Sequence, residues 1–315
     1  MILSVSRRTD IPAFYAPWFM RRLREGFVMV RNPMNPRQVS RIPLTPETVD
    51  CIVFWSKNPE PLLPYLPEIR RMGYQTLFQV TVNGYGSDVE MNLPPLGARI
   101  DTVRRLSDAV GGERVIWRYD PMLLSQDYTV SWHAEAFSGI AQALQGRVDR
   151  CVISFLDVYE KIRARLRAAK IRACTEPEMH ALASALSQVA GGYQLQLQTC
   201  AEKIDLSRYG ISHGACLDGE WISRVLGYPL KKGKDPNQRS ECGCMPGVDI
   251  GVYNTCRNGC VYCYANHSPQ SVERAMACHQ PDSPLLTGIL LPDDRITGRK
   301  LASLRDPSGQ QLSLF

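Results

Sequence analysis

Short apolar runs alternate with longer helical patterns along most of this 315-residue chain. The short runs are rich in β-branched and aromatic residues and end in polar or turn residues, as buried strands do. They lie at residues 2–6, 51–55, 76–82, 114–119, 151–156, 193–199 and 249–253. The helical patterns lie at residues 16–25, 62–72, 99–109, 131–144, 158–169 and 176–190. The alternation predicts an α/β fold, and about seven mostly parallel strands favour a (β/α) barrel or partial barrel.

Polar residues follow several predicted strands at the point where each strand ends. In a parallel barrel these ends share one rim, where functional side chains collect. At any single strand end, such polar residues are equally typical of an ordinary loop cap. The prediction therefore depends on several polar strand ends that share one rim. The candidate catalytic residues are Arg7, Arg8, Asp10, Lys57, Arg118 and Asp120. The candidate cofactor-binding residues are Ser6, Asn58 and Tyr262.

Three cysteines follow the last predicted strand, separated by three and then two residues. They are Cys256, Cys260 and Cys263. Three thiolates hold three corners of a [4Fe–4S] cluster and leave the fourth iron open to a substrate. The alternative is a zinc knuckle, but zinc normally takes four ligands and needs another one nearby. The spacing therefore favours the iron–sulfur cluster.

Four more cysteines lie in loops or at a strand end. Cys242 and Cys244 share a polar loop broken by glycine and proline, Cys200 ends an alternating run, and Cys216 follows in the next loop. Four thiolates suit either a second Fe–S cluster or a structural zinc ion. The alternative is that these are scattered free thiols. We expect a second metal site, and the sequence leaves its metal open.

Cysteine usage and hydropathy also bear on the compartment. The cysteine count of 11 is odd, and the first residues run directly into Arg7 and Arg8, too soon for a signal peptide. No apolar run approaches the length of a membrane span. We therefore expect a cytoplasmic protein with no membrane partner, in which thiols persist as metal ligands or free side chains. The net charge of +6 permits a phosphate-bearing partner without requiring one.

The cysteine triad resembles that of the radical S-adenosylmethionine (SAM) superfamily, in which the open iron chelates SAM. More closely, nearly the whole chain resembles the bacterial family known as domain of unknown function 1848. Segments 6–12, 54–59, 118–121 and 249–265 carry this resemblance. It implies a [4Fe–4S] cluster at the triad, SAM, and an electron donor such as flavodoxin or ferredoxin. It implies no particular substrate.

The position of the triad differs from that in the superfamily. Radical SAM enzymes usually place it after the first strand of a partial (β/α) barrel, whereas here it follows the last strand. A circular permutation reconciles the two, with residues 249–253 as the first strand and residues 2–6 as the second. The superfamily's glycine-glycine-glutamate motif does not follow residues 2–6. Asp10 and Arg8 are the nearest substitutes for its contact with the amino group of SAM.

The last five residues resemble the bacterial sliding-clamp-binding pentapeptide at every position. They are Gln311, Leu312, Ser313, Leu314 and Phe315. An apolar tail on a polar tether can insert its large side chains into a pocket on a partner. The alternative is that the tail packs on its own domain or frays.

We divide the chain into two parts: a radical-SAM-like barrel at 1–270, with cysteine-rich loops at 200–265, and a C-terminal extension at 271–315.

These features together predict a radical SAM enzyme that acts on nucleic acid, in DNA repair or modification at the sliding clamp. Rim cations would contact phosphates, and Tyr119 or Tyr262 would supply a stacking face or a radical relay. Two alternatives remain open. One is a radical SAM enzyme for a small metabolite or peptide, and the other is a non-enzymatic, clamp-associated adaptor with structural metal. The rim cations expected to contact phosphates under the nucleic-acid hypothesis are Arg7, Arg8, Lys57 and Arg118.

Overall fold

A parallel sheet of eight strands organises the chain in a computed structural model that describes residues 1–236 and 238–307. The sheet has the strand order β10-β1-β4-β5-β6-β7-β8-β9, and a second sheet has the order β11-β3-β2. Strands β1 to β6 are Ile2–Val5, Phe27–Asn32, Asn35–Pro43, Cys51–Ser56, Thr76–Thr81 and Val115–Met122. Strands β7 to β11 are Arg150–Phe155, Gln196–Cys200, Ser212–Gly214, Gly247–Asp249 and Arg295–Gly298.

Helices connect the strands of the main sheet, as the sequence pattern predicts. Helices α1 to α5 are Ile11–Phe14, Ala16–Glu25, Leu66–Arg71, Leu96–Val110 and Val130–Ala143. Helices α6 to α9 are Glu160–Ala168, Glu176–Gly192, Gly219–Leu226 and Pro269–Ala277. The local chemistry explains several boundaries. Thr175 and Glu178 form a capping box at the start of α7, and α2 ends at Gly26, whose φ of 74° suits glycine. The predicted parallel α/β sheet is confirmed.

Several predicted elements have different bounds in the structure, and for two of them the physical reason is clear. The last strand, expected at 249–253, is Gly247–Asp249, because Asp249 turns the chain out of the sheet. Its Oδ1 atom accepts the N–H of Gly251 at 2.9 Å, which starts the loop that carries the triad. The helix expected at 62–72 divides into a 3₁₀ helix at Glu60–Tyr65 and α3, because Pro64 interrupts it.

The sequence pattern missed the short and the polar elements. Strand β9 has only three residues and no apolar run. The β2–β3 hairpin pairs antiparallel, with Val30 opposite Ser40, and its exposed first part in β3 lacks a buried-strand pattern. Strand β11 adds to the same small sheet by pairing with β3. Only β2 begins with an apolar run, at residues 27–30, and its position directly after α2 concealed it; β3, β9 and β11 lack such a run.

Each central strand buries side chains on both faces of the main sheet. On one face, Phe54 stacks on Phe78 with ring centroids 5.1 Å apart, and Trp117 stacks on Phe137 of α5 at 4.7 Å. The opposite face forms a separate apolar cluster. It contains Ile2, Cys51, Val53, Leu77, Ile116, Val152, Leu217 and Trp221. Burial on both faces explains why these strands read as short, continuous apolar runs.

The segment predicted as a C-terminal extension lies against the N-terminal half of the chain. The indole N–H of Trp18 donates to the carbonyl of Ser283 at 2.8 Å, and Leu304 N–H donates to Asp50 Oδ2 at 2.7 Å. Residues 311–315, the predicted clamp-binding tail, lie outside the described residues. In the part of the chain that is described, no helix is both long and apolar enough to cross a membrane.

Candidate functional site

A cavity of about 930 Å³ opens at the carboxyl ends of the parallel strands. Its lining comes from the segments that end or follow β1, β4, β6, β7, β8 and β10. All of the cysteines predicted as metal ligands line it: Cys200, Cys216, Cys242, Cys244, Cys256, Cys260 and Cys263. The strand ends and the cysteines therefore meet at one site, as the sequence predicts.

All but one of the other predicted site residues line the cavity. Asn58 does not appear in the cavity lining formed by the described residues, and its backbone N–H donates to Ser56 Oγ at 3.0 Å. The prediction that Asn58 contacts a cofactor therefore lacks support from its position. Asn258, from the triad loop, lines the cavity instead. The predicted residues that do line it are Ser6, Arg7, Arg8, Asp10, Lys57, Arg118, Asp120 and Tyr262.

Protein hydrogen bonds hold both ends of the loop that carries Cys256, Cys260 and Cys263. The Asn266 side chain donates to the carbonyl of Cys256 at 2.7 Å. Arg165 of α6 donates to the carbonyl of Cys263 at 2.7 Å and to that of Asn266 at 3.0 Å. The loop is thus fixed by its own side chains and by a neighbouring helix.

The middle of this triad loop pairs with the long loop between β5 and α4. Glu90 and Cys260 form an antiparallel bridge, and Asn92 N–H donates to the carbonyl of Asn258 at 3.1 Å. The Asn92 side chain adds a bond to the carbonyl of Arg257 at 2.8 Å. A βα loop of this length usually has a role of its own, and this one supports the cysteines.

Glu90 is a buried carboxylate at the centre of a charged network. It accepts from Lys57 Nζ at 2.8 Å, Arg99 Nη1 at 3.2 Å and Asn83 Nδ2 at 3.2 Å, and it also accepts the Tyr262 hydroxyl. Burial opposes ionisation of Glu90, but the charges of Lys57 and Arg99 outweigh it and hold the pKa of this carboxyl below its ordinary value. Glu90 therefore fixes Lys57 and Tyr262, two predicted site residues.

Asp10 joins three segments around the cavity. It accepts from Ser56 Oγ at 2.6 Å, Lys57 N at 2.8 Å, Asn258 Nδ2 at 3.0 Å and Ala13 N at 3.1 Å. Burial raises the pKa of Asp10, although these hydrogen bonds oppose the shift. A carboxylate has about four acceptor positions, and the protein uses that many. Asp10 is thus a positioning residue, and its contacts do not support the predicted hold on the amino group of SAM.

The remaining predicted ligands also meet. The sulfur atoms of Cys200 and Cys216 lie 2.7 Å apart, longer than a disulfide bond, and both cysteines are free. Interactions with the thiols of Cys200 and Cys216 lower the pKa of Cys244 to about 6, and the nearby thiol of Cys242 opposes this shift. The structure therefore brings together four thiols that come from widely separated parts of the sequence. We call Cys200, Cys216, Cys242 and Cys244 the cysteine quartet.

Two arginines predicted to contact phosphate lie beside the cysteine quartet. Arg118 donates to Cys216 Sγ at 2.9 Å and pairs with Asp120. The guanidinium carbons of Arg7 and Arg118 lie 4.9 Å and 5.5 Å from the ring centroid of Trp55. Within the described residues, the buried Arg7 Nη2 atom has no hydrogen-bond partner. These cations are placed to offset negative charge on the thiols.

Sequence reasoning missed several residues that shape the site. Glu90 belongs to no recognised motif, although the length of the loop after β5 was an available signal. Asn258 lies inside the triad motif but was not predicted as a site residue. Asp249 ends β10 and accepts from Ser6 Oγ at 2.7 Å. Glu202 also lines the cavity and accepts the N–H of Phe155 at 2.8 Å, while burial raises the pKa of this carboxyl to about 7.

The chain belongs to the family described as "Domain of unknown function (DUF1848)", whose model matches residues 2–265. A search of curated proteins finds no match. Among solved structures, a protein described as a candidate alpha-L-fucosidase from Bacteroides thetaiotaomicron is 12% identical with a TM-score of 0.30; the alignment covers 57% of this chain and 84% of that one. Rhizobium etli pyruvate carboxylase is 11% identical with a TM-score of 0.27, over 72% and 24% of the two chains. Scores this low support no argument about function.

The Glu90 network generates a stability prediction. We expect Glu90→Gln to lower the free energy of unfolding by about 3–5 kcal/mol, because the substitution leaves Lys57 and Arg99 without their buried counter-charge. Urea unfolding followed by circular dichroism measures the loss. The matched control is Glu68→Gln, which breaks a surface ion pair with Arg24 and should leave the stability almost unchanged. Equal losses in the two variants would contradict the central role of Glu90.

Proposed function

We propose that the chain is an iron–sulfur enzyme of the radical SAM type. The observation that carries this proposal is the triad loop, which presents Cys256, Cys260 and Cys263 to a cavity at the carboxyl ends of parallel strands. These three residues would hold a [4Fe–4S] cluster. When bound, such a cluster supplies the electron that splits SAM into methionine and a 5′-deoxyadenosyl radical.

The chemistry of the three thiols fits a metal cluster. Burial raises the pKa of Cys256 to about 12 and raises that of Cys260 well above its ordinary value. Such thiols stay protonated near neutral pH unless a metal ion displaces the proton. The charges of the three thiols influence one another, because Cys263 raises the pKa of both Cys256 and Cys260. Three neighbouring thiolates suit a cluster in which each binds a different iron.

The surrounding residues prepare this site before any cofactor binds. Lys57 places a positive charge near Cys260, which favours the thiolate form. Tyr262 is buried, and its bond to Glu90 fixes the ring as part of the cavity wall. The protein therefore fixes Lys57 and Tyr262 in the cavity wall through one buried carboxylate before any cofactor binds.

We also infer that the main sheet closes into a barrel. The side chains on its second face form one apolar cluster, to which β1, β4, β5, β6 and β7 contribute. The flanks of the two edge strands also meet, because Met245 N–H donates to the carbonyl of Leu217 at 2.9 Å. A closed barrel would place this cluster inside it and the cavity at its carboxyl end.

Nucleic acid is the proposed substrate, because tyrosines and cations alternate at the mouth of the cavity. Lys161 Nζ lies 5.5 Å from the ring centroid of Tyr253 and 5.7 Å from that of Tyr264, and Arg8 Cζ lies 5.1 Å from Tyr253. Tyr159 and Tyr264 are each 38% exposed. We call this surface the tyrosine face. It comprises Tyr159, Tyr253, Tyr264, Arg8, Lys161 and Arg239.

The tyrosine face has the composition that single-stranded nucleic acid requires. Bases of any sequence stack on aromatic rings, and neighbouring cations follow the phosphates. Arg239 is also paired with Asp157 at 2.6 Å, so Arg8 and Lys161 are the cations best placed for phosphate contact. A strand bound here would lie next to the triad, within reach of a radical formed in the cavity.

The triad assignment predicts that each of its cysteines is required for SAM cleavage. We expect Cys256→Ala, Cys260→Ala and Cys263→Ala each to abolish 5′-deoxyadenosine formation while circular dichroism stays unchanged. The measurement is chromatography of the products after anaerobic reconstitution and reduction, with iron and sulfide counted per chain. Cys278→Ala is the matched control, because Cys278 is exposed and lies outside the cavity lining, and it should keep full activity. Product formation by a single triad variant that still binds iron would overturn the assignment.

The tyrosine face predicts that an aromatic ring, and not its hydroxyl, binds DNA. We expect Tyr264→Ala to weaken binding of a single-stranded oligonucleotide by roughly 5- to 150-fold, the equivalent of about 1–3 kcal/mol of stacking. Tyr264→Phe is the matched control: it also loses the hydroxyl bond to the carbonyl of Arg7 but keeps the ring. Fluorescence anisotropy at fixed salt measures both affinities. Wild-type affinity in the alanine variant, or equal weakening in both, would contradict stacking.

The terminal pentapeptide extends the proposal to a bacterial sliding clamp as the partner. Burial of Leu312 and Phe315 contributes about 3–6 kcal/mol before the cost of association, so micromolar affinity is expected. Deletion of residues 311–315 should abolish binding to the clamp and leave SAM cleavage intact. Calorimetry with an isolated peptide, and with its Phe315→Ala form as control, measures the affinity. A peptide that fails to bind at high micromolar concentration removes the support for a clamp partner.

A further inference from the structure

The cysteine quartet lies where the two edges of the main sheet approach each other. Cys200 ends β8, and Cys216 follows edge strand β9 by two residues. Cys242 and Cys244 belong to the segment that leads into the other edge strand, β10. No backbone ladder joins β9 to β10 in the described residues. The four thiols therefore span a junction that sheet hydrogen bonds leave open.

The close packing of the quartet favours one ion over a cluster. Sulfur atoms on a tetrahedral zinc ion, with bonds of about 2.3 Å, lie about 3.8 Å apart. Cys200 Sγ and Cys216 Sγ, now 2.7 Å apart, would separate by about 1 Å to admit it. A four-iron cluster would require a larger rearrangement, because its thiolates bind four different irons. Leu217, the residue after Cys216, donates its N–H to Cys244 Sγ at 3.4 Å, which places Cys244 beside the Cys200–Cys216 pair.

The groups around the quartet suit bound thiolates. Leu217 N–H donates to Cys244 Sγ at 3.4 Å, and Arg118 donates to Cys216 Sγ at 2.9 Å. Gln79 Nε2 fixes the carbonyl of Cys216 at 2.8 Å. Four thiolates on a divalent ion carry a net double negative charge, which Arg118 and Arg7 are placed to offset. Such outer contacts orient the ligands of structural metal sites.

We propose that Cys200, Cys216, Cys242 and Cys244 bind one zinc ion, which fastens the two edges of the sheet together. Four protein thiolates complete a tetrahedral site and leave no position for substrate, so the role of the ion is structural. The site needs neither the triad cluster nor SAM, and it therefore goes beyond the proposed enzymatic function. It also assigns Arg7 and Arg118 to the metal site and not to phosphate contact.

The metal is tested in the full chain with the triad removed, as Cys256→Ala/Cys260→Ala/Cys263→Ala, so that any bound metal belongs to the quartet. After purification without added metal, we expect about one zinc per chain and no acid-labile sulfide. X-ray absorption should show four sulfur neighbours at about 2.3 Å. Adding Cys242→Ser should remove the zinc, whereas adding Cys278→Ser should not. Iron with sulfide, or no metal, would overturn the proposal whether or not the wild-type protein cleaves SAM.

The fastening role is tested without any substitution, by hydrogen exchange on zinc-loaded and chelator-treated full-length protein. Loss of zinc should accelerate exchange of the Leu217 and Met245 amides, which bond to Cys244 Sγ and to the carbonyl of Leu217. The amide of Phe78, in central strand β5, is the internal control and should keep its protection. Zinc binding with unchanged exchange at the edge amides would refute the fastening role. This result does not depend on whether the Cys242→Ser variant folds.

Discussion

The buried carboxylate of Asp10 is the contact on which the arrangement of the site depends. It takes donors from the loop after β4, from the start of α1 and from Asn258 in the triad loop. A buried carboxylate is costly unless hydrogen bonds replace its water, so these segments are constrained to converge on it. Asp249 does the same for β10 and β1, through bonds to Ser6 Oγ and Arg7 N. The loop that carries the triad cysteines therefore starts from a fixed strand end and is held again at Asn258.

Each of the two groups of cysteines lies beside a cation that a carboxylate holds in place. Lys57 faces the triad near Cys260 and is held by Glu90, while Arg118 contacts Cys216 of the quartet and is held by Asp120. In each case a carboxylate positions a cation, and the cation favours the thiolate form of a buried cysteine. The repetition is what the proposed metal binding at both sites would require, because a bound metal holds its cysteines as thiolates.

The parts of the structure that depend on local residue pattern can be predicted well from the sequence. The central strands, α2 and the meeting of polar strand ends with the cysteines were all predictable, because buried parallel strands read as apolar runs. Glu90 was not, since its partners Lys57 and Arg99 come from other segments and only tertiary packing unites them. Asn58 was predicted as a site residue but does not line the cavity formed by the described residues, because a polar residue beyond a strand end carries no information about its direction. Strand β9 was too short to leave a pattern.

The order of the strands gives a physical reason for a triad so late in the chain. Strand β10 pairs with β1 in parallel, with Gly247 opposite Ile2, so the triad loop lies beside the N-terminal strand. If the chain is read from β10, the main sheet runs in unbroken order from β10 through β1 and β4 to β9. A circular permutation of a consecutively wound sheet produces this order, as the proposed relation to radical SAM enzymes requires. Such a permutation leaves β9 and β10 at opposite edges of the sheet but consecutive in the chain, joined by the segment that carries Cys216, Cys242 and Cys244. The proposed zinc ion would link these two edges without a backbone ladder.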